Sequence, residues 1–331
     1  MSSPVTTRRA DEPMAARGRV PDFFLVGHPK CGTTALYEIL KGHREIFMPE
    51  LKESWFLVPE LRGDRRDEPV GRPDTLEEYL ALFAQARPGQ HIGEATPSYL
   101  RSHDAAERIA ALRPDARIVA ILREPASFLR SFHLQCLQNH TETVKDLRAA
   151  LELEPSRRAG RGIPPSCSTP EVLLYSEHVR YVEQLRRYRA VFPSEQVLVV
   201  IYDDFRDDNR GTVKDVLRFL EVDDSAPIEI SEANPSVRLR SRRLEELTRS
   251  LYRGQGLASS VAKGAVKALT PRRARRRALQ AAQRHLVYAA PRPPDEDVML
   301  ELRRRFKPQV AALSEYLGRD LTGLWGYDSI D

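Results

Sequence analysis

Lys30, Cys31, Gly32, Thr33 and Thr34 stand together, so an ammonium, a thiol and two hydroxyls can converge on one group. They follow Phe23-Phe24-Leu25-Val26-Gly27, an apolar run without polar alternation that reads as a buried strand ended by a Gly/Pro break. Leu36, Ile39 and Leu40 then recur at helical spacing. A strand, a tight loop and a helix N-terminus aim free backbone N–H groups and the helix dipole at one point. Residues of these types in this order bind a phosphate-like anion.

The spacing approaches the nucleoside-triphosphate loop and departs from it at one position. Gly27 and Gly32 keep its four-residue gap, but Thr33 follows the second glycine where lysine is required. Lys30 lies inside the loop instead, where its cation meets the near end of a phosphate chain. Magnesium-dependent phosphoryl transfer needs the lysine on the β- and γ-phosphates and a hydroxyl on the metal. The chain is therefore expected to use no metal.

A second constellation lies at Ala116–His133. Ala116-Arg117-Ile118-Val119-Ala120-Ile121-Leu122 reads as another buried strand, Arg123-Glu124-Pro125 stops it, and a helix begins with Pro125 in its first turn. Arg123 at a strand's end can fork onto a phosphate, and Ser131 on the following helix can add a hydroxyl. The bland alternative is an Arg123–Glu124 pair beside a surface serine.

Both motifs together resemble the 5′-phosphosulfate loop and the 3′-phosphate element of sulfotransferases that use 3′-phosphoadenosine 5′-phosphosulfate (PAPS), in the branch holding bacterial and heparan-type enzymes. The resemblance extends to Met48–Phe56, similar to the segment that supplies a catalytic carboxylate, and to Gly93–Leu100, with Ala95 where heparan-type enzymes carry lysine. That departure makes a heparan-like acceptor less expected. Val197–Phe205 matches a late core strand, Asn234–Arg242 a basic loop over the nucleotide, and Leu321–Trp325 the C-terminal segment.

The resemblance implies an α/β, P-loop-like three-layer fold with a central parallel sheet flanked by helices. It implies an enzyme of the EC 2.8.2 type that moves a sulfuryl group from PAPS to an acceptor hydroxyl and releases adenosine 3′,5′-bisphosphate. Lys30 neutralises the leaving oxygen, Glu53 is the general base, and Cys31, Gly32, Thr33 and Thr34 line the 5′-phosphate. Arg123 and Ser131 hold the 3′-phosphate, and Arg238 is chosen from Arg238, Arg240 and Arg242 to join them. Glu53 could instead pair with Lys52, and Glu94 is a second carboxylate suited to bracing the turn before Pro97. His28 is read as packing beneath the loop, with an acceptor contact as its alternative, and His133 as structural. Cys31, beside Lys30 at a helix N-terminus, is expected to be acidified, reactive and shielded by nucleotide. A small-molecule kinase and a non-catalytic nucleotide- or polyanion-binding protein are the competing classes.

Composition bounds the rest. The chain has 331 residues, 41% of them hydrophobic, enough for one large core. Three cysteines without paired spacing point to a reducing compartment, and the expected location is the cytoplasm. No run approaches the ~18 apolar residues of a membrane span. A net charge of +5 is too small to imply a nucleic-acid partner.

Residues 1–20 are expected to be a disordered tail, and 21–331 a single domain. Helices are expected near 75–85, 103–112, 126–138, 143–153, 171–192 and 209–220, and a strand at 196–202. Pro155 to Pro170 reads as a lid or acceptor-wall loop. The expected acceptor is a hydroxyl-bearing glycan, glycosylated natural product or lipid-linked sugar. A basic helical segment at about 247–294 contains no Asp or Glu; a membrane or anionic-partner contact and a solvated face both fit it.

Overall fold

β1 (Phe23–Gly27) is buried at all five positions, which is why its sequence shows no alternation. It is the middle strand of a five-stranded sheet, order β2-β3-β1-β4-β5, in a computed structural model that describes residues 19–63, 71–225, 238–239, 288–289 and 293–330. The expected tail and nearly all of the basic segment lie outside those residues, as do Arg240 and Arg242. All four strand pairings in this sheet are parallel.

From β1 the chain passes through α1 (Thr33–Lys41) to β2 (Ile46–Phe47). It then runs through α2 (Leu76–Ala81), β3 (His91–Ala95), α3 (Ala105–Leu112) and β4 (Arg117–Leu122). Between β4 and β5 (Val197–Ile201) lie α4 (Pro125–Gln138), α5 (Leu147–Glu152), α6 (Glu154–Arg158), α7 (Tyr175–His178) and α8 (Tyr181–Arg189). α9 (Tyr202–Asp207) and α10 (Asn209–Phe219) follow, and a long C-terminal helix, Glu296–Leu317, packs on α4 and α8. β6 (Arg238–Leu239) and β7 (Tyr288–Ala289) form a separate antiparallel pair. None of the described helices is long and apolar enough to cross a membrane.

The connection from β1 runs toward β2 and β3, and that from β4 toward β5, so the two central strands diverge. In an open parallel sheet, ligands bind in the crevice beyond the strand ends at such a switch point. Gly27 lets β1 reach it: a Cβ there would run into the Leu100 side chain. The three-layer parallel fold implied by the sequence is the one observed.

Four expected elements differ, the 143–153 helix by starting only at Leu147, where Asp146 caps it. The 75–85 helix ends at Ala81. The chain then tightens into i→i−3 bonds (Phe83 N to Leu80 O, 3.1 Å; Ala86 N to Phe83 O, 3.1 Å), which turn Phe83 and Ala86 into a small core with Tyr79 and Ile92. The 155–170 loop begins as helix α6, because Pro155 falls in a first turn where it is tolerated; Gly160 and Gly162, both left-handed, end it. Arg157 of α6 forms a fully buried pair with Glu142 at 2.8 Å.

The 171–192 helix is broken into a 3₁₀ turn at Pro170–Leu173, α7 and α8. Gln184 Nε2 donates to the carbonyls of Glu177 (3.0 Å) and His178 (3.2 Å), which satisfies the end of α7. The C-terminal helix is an addition to the expected elements; Met299, Leu302, Phe306, Val310 and Leu313 form its buried stripe.

Glu124 does not pair with Arg123. Its carboxylate caps α4, accepting from Ala126 N (3.0 Å) and Ser127 N (2.6 Å), and also takes the Tyr327 hydroxyl. Replacing Glu124 with alanine removes an N-cap and leaves a buried phenol unpartnered. The expected loss is about 2–4 kcal/mol, read as a lower urea midpoint with an unchanged slope. An unshifted midpoint would show that α4 and the C-terminus hold without it.

Candidate active site

The loop after β1 is set by two left-handed residues, Lys30 (φ 63°) and Gly32 (φ 83°). His28 N donates to Ile121 O at 2.7 Å, tying the loop's start to β4. Gly32 is the N-cap of α1 and offers no side chain, so the first N–H groups of that helix are uncapped. A Cβ there would crowd Phe205 at 3.1 Å and Tyr202 at 3.3 Å, in addition to the unfavourable φ. Among the described residues, neither the Thr33 nor the Thr34 hydroxyl has a hydrogen-bond partner.

Arg123 joins this loop from β4. Its Nη1 donates to Lys30 O at 3.0 Å and its guanidinium lies 4.7 Å from the centre of the Tyr202 ring, which leaves other N–H donors of the fork available. The Lys30 ammonium has no hydrogen-bond or ion-pair partner among the described residues. Burial, and then the charge of Arg123, lower its pKa. Arg130 on α4 is lowered for the same two reasons. Asp203, at the exit of β5, is engaged by Trp325 Nε1 at 2.9 Å and by Arg206 at 2.9 Å. Two cations crowd Arg123 beside an uncapped helix end, a concentration of positive charge that anionic groups would relieve.

A carboxylate approaches from the neighbouring strand. Glu53 N donates to Ala95 O at 2.9 Å, which fixes residue 53 to the exit of β3. Its side chain is 39% exposed and pairs with Lys52 Nζ at 2.6 Å, the alternative weighed in the sequence. Glu94, two residues before Thr96, is buried; its Oε1 accepts from Thr96 Oγ1 at 2.6 Å, bracing the turn before Pro97. Burial raises its pKa to about 7 against hydrogen bonds that lower it.

Lys30, Gly32, Thr33, Thr34 and Arg123 thus meet at the β1/β4 exits, and Glu53 stands at the adjacent exit of β3. Ser131 is buried on α4. Arg238 is described only as backbone in β6, opposite Ala289.

The expectation for Cys31 is overturned. Its thiol has no exposed surface, and burial pushes its pKa up to about 12 despite Arg123 and Lys30. Desolvation of the thiolate outweighs the helix end, so Cys31 serves the loop as a small packed residue.

His28 is fully buried between Phe128 and Tyr181, its Nε2 donating to Gln184 Oε1 at 2.6 Å. Burial lowers its pKa to about 4, helped by the nearby charge of Arg101, so it stays a neutral prop beneath the loop. His133 bonds to Val144 O at 2.8 Å. Sequence reasoning missed Tyr202, Arg130 and Ser54. Tyr202 directly follows the β5 run, and only that placement hinted at it. No group of His, Cys, Asp and Glu suited to a metal occurs among the described residues.

Comparison with known proteins places these features in context. The model of the sulfotransferase family matches residues 21–226, more than half of the chain. Carbohydrate sulfotransferase 15 of Homo sapiens is 27% identical over 259 residues, covering 61% of this chain and 44% of that protein. Heparan sulfate glucosamine 3-O-sulfotransferase 6 of Homo sapiens is 29% identical over 205 residues, covering 62% of this chain and 53% of its own. The chain spans about half the length of the curated relatives it matches. A sulfotransferase from Alicyclobacillus acidocaldarius shares the fold, with a TM-score of 0.63 at 24% identity over 92% of this chain and 98% of that one.

Two outcomes are expected. All three cysteines are buried, so none should react with a thiol reagent at about pH 8 until denaturant is added; rapid native labelling of Cys31 would contradict its placement. The native pKa of Glu94 lies above its unfolded value, so its contribution to stability is complete below about pH 4.5 and is lost as pH rises through about 7. Relative to Glu94→Gln, the parent protein should therefore lose on the order of 3 kcal/mol across that window and no more above it. A constant difference from pH 4 to about 8 would show that Glu94 is not desolvated.

Proposed function

The chain belongs to the sulfotransferase family, and on that premise we propose that it catalyses sulfuryl transfer from PAPS to an acceptor hydroxyl. One observation carries the reading: Lys30, Arg123 and the bare end of α1 converge at the switch point without an acidic partner for the lysine among the described residues. A nucleotide with phosphate at both ends of its ribose fits that donor set, because the loop and the β4 exit supply two separate groups of donors. In this role the donor supplies the activated sulfuryl group.

The chain's own residues do the rest. The N–H groups of Gly32, Thr33 and Thr34, with the two hydroxyls, hold the 5′-phosphate. Arg123, stacked on Tyr202, presents its remaining N–H groups to the 3′-phosphate, with Ser131 and Arg130 on the same helix and Arg238 from beyond β5. Lys30 stabilises charge that builds on the bridging oxygen as the S–O bond to the phosphate breaks. Glu53 takes the proton from the acceptor hydroxyl as its oxygen bonds to sulfur. Positioning and electrostatics supply most of the acceleration in a transfer of this kind.

The acceptor in this proposal is a glycan, glycosylated natural product or lipid-linked sugar, a class supported by relatives named for carbohydrate and heparan sulfate substrates. Ala95 stands where the heparan-type enzymes of the resemblance carry lysine, which favours an acceptor other than heparan sulfate. The cytoplasm is part of the same proposal, supported by three free cysteines.

Calorimetry tests the donor: adenosine 3′,5′-bisphosphate should bind at least about 100-fold more tightly than AMP, with Arg123→Ala removing most of that preference. Glu53→Gln should lower turnover by roughly 10²–10⁴ while bisphosphate binding persists. Products heavier by one SO₃, sought by mass spectrometry after incubation with PAPS and a fractionated extract, identify the acceptor. Equal affinity for AMP and the bisphosphate would remove the donor, and the proposed reaction with it.

A further inference from the structure

Glu53 (φ 64°) and Trp55 (φ 56°) hold left-handed backbone conformations on either side of Ser54. Residues with a Cβ avoid that region, and such strain persists only where the surroundings over-determine it. The surroundings here are polar and lie largely inside the protein. Ser54 Oγ donates to Glu94 Oε1 at 3.2 Å, lies 3.2 Å from the Tyr99 hydroxyl and accepts from Phe56 N at 3.3 Å. Arg62 holds the carbonyls of Trp55 (3.1 Å) and Ser54 (3.4 Å) from the other side. Ser54 is the hub, and the Glu94 carboxyl is the acceptor that its hydroxyl meets.

We propose that Glu94 is a positioning residue, which through Ser54 holds the Glu53–Trp55 turn in its left-handed form and so sets where the Glu53 carboxylate stands. The inference rests on the reading of Glu53 as proton acceptor for its catalytic consequence, but not for its structural one. Two carboxylates then divide the work. Glu53 is part-exposed and reaches the acceptor; Glu94 is buried, touches no substrate and acts through the turn. Among the described residues Glu94 Oε2 has no hydrogen-bond partner, so the carboxyl is held on one edge by Ser54 and Thr96.

Four titratable groups face Glu94. They are Lys52 from the turn's own segment, Tyr99 beyond β3, Tyr79 from α2 and Tyr188 from α8. Burial holds all three tyrosines well above their ordinary range. A transition of the turn near pH 7 is assigned to Glu94 by its absence in Glu94→Gln.

Trp55 is one of only two tryptophans and reports the turn directly. In the full chain labelled with 5-fluorotryptophan, Trp325→Phe assigns the two ¹⁹F signals. The Trp55 signal should titrate with a midpoint near pH 7 in the parent, lose that titration in Glu94→Gln, and shift in Ser54→Ala and Glu94→Ala. In the PAPS-dependent assay, Glu94→Ala should lower kcat by roughly 10²-fold with KM for PAPS unchanged, and should add nothing in a Glu53→Gln background. Glu94→Gln, which keeps an acceptor oxygen, should restore most of the loss.

A Trp55 signal that neither titrates near pH 7 nor moves in Ser54→Ala overturns the inference, whatever the activities. A signal that behaves as expected while Glu53→Gln turns over normally keeps the turn and removes only the assignment of Glu53. If Glu94→Ala fails to fold, the parent titration and the Gln and Ser54 variants decide the question alone.

Discussion

Arg123 Nη1 donates to the carbonyl of Lys30, and this bond ties the exit of β4 to the loop of β1 across the divergence of the sheet. It holds a guanidinium close to an ammonium that it disfavours. Keeping those like charges together at a helix end adds repulsion to the cost of burial, a cost that an anionic ligand offsets. Tyr202 helps by offering its ring face, so the guanidinium is held flat without losing its outer donors. The rest of the site follows from this constraint, because α1, α4 and α9 each begin at a strand exit that the bond or the ring holds in place.

Much of this was legible in the sequence, because fully buried parallel strands read as unbroken apolar runs. Phe23–Gly27 and Ile118–Leu122 could hardly be anything else, and Gly32 and Pro125 mark the helices that follow. The break between α7 and α8 was not legible. It depends on Gln184, whose amide closes α7 while its oxygen takes the His28 ring, and those partners are 156 residues apart. No local pattern encodes such a choice. Cys31 shows the opposite error: the helix end and Lys30 were visible, but the burial that desolvates the thiol comes from distant segments, Tyr181 among them. The apolar stripe of Glu296–Leu317 was available at helical spacing, obscured by Arg303-Arg304-Arg305 and Pro308 within it.

Environment, rather than residue type, separates the two acids of the site. Glu53 and Glu94 both lie at the exit of β3, yet one is paired with Lys52 in partial contact with solvent and the other is enclosed. The family resemblance ranks Glu53 first and gives Glu94 the bracing role, but the spacing itself holds no record of which carboxyl is desolvated. Main-chain strain adds a second distinction. It falls on Glu53 and Trp55, whereas Glu94 sits in regular strand geometry, so the ordinary backbone belongs to the anchor and the strained one to the group it aims.

The C-terminus closes the arrangement from behind. Tyr327 reaches Glu124 at the start of α4, and Trp325 reaches Asp203 at the start of α9. These side chains, two residues apart, therefore fasten the elements that follow Arg123 and precede Phe205, the residue packed against Gly32. The long C-terminal helix brings them there by packing on α4 and α8. The anion loop leaves the Lys30 ammonium and the Thr33 and Thr34 hydroxyls uncommitted among the described residues, so those groups do not fix it. Its rigidity is supplied instead by neighbours whose own polar groups are already satisfied, and that is why residues at the far end of the chain belong to the physical description of a site built near its beginning.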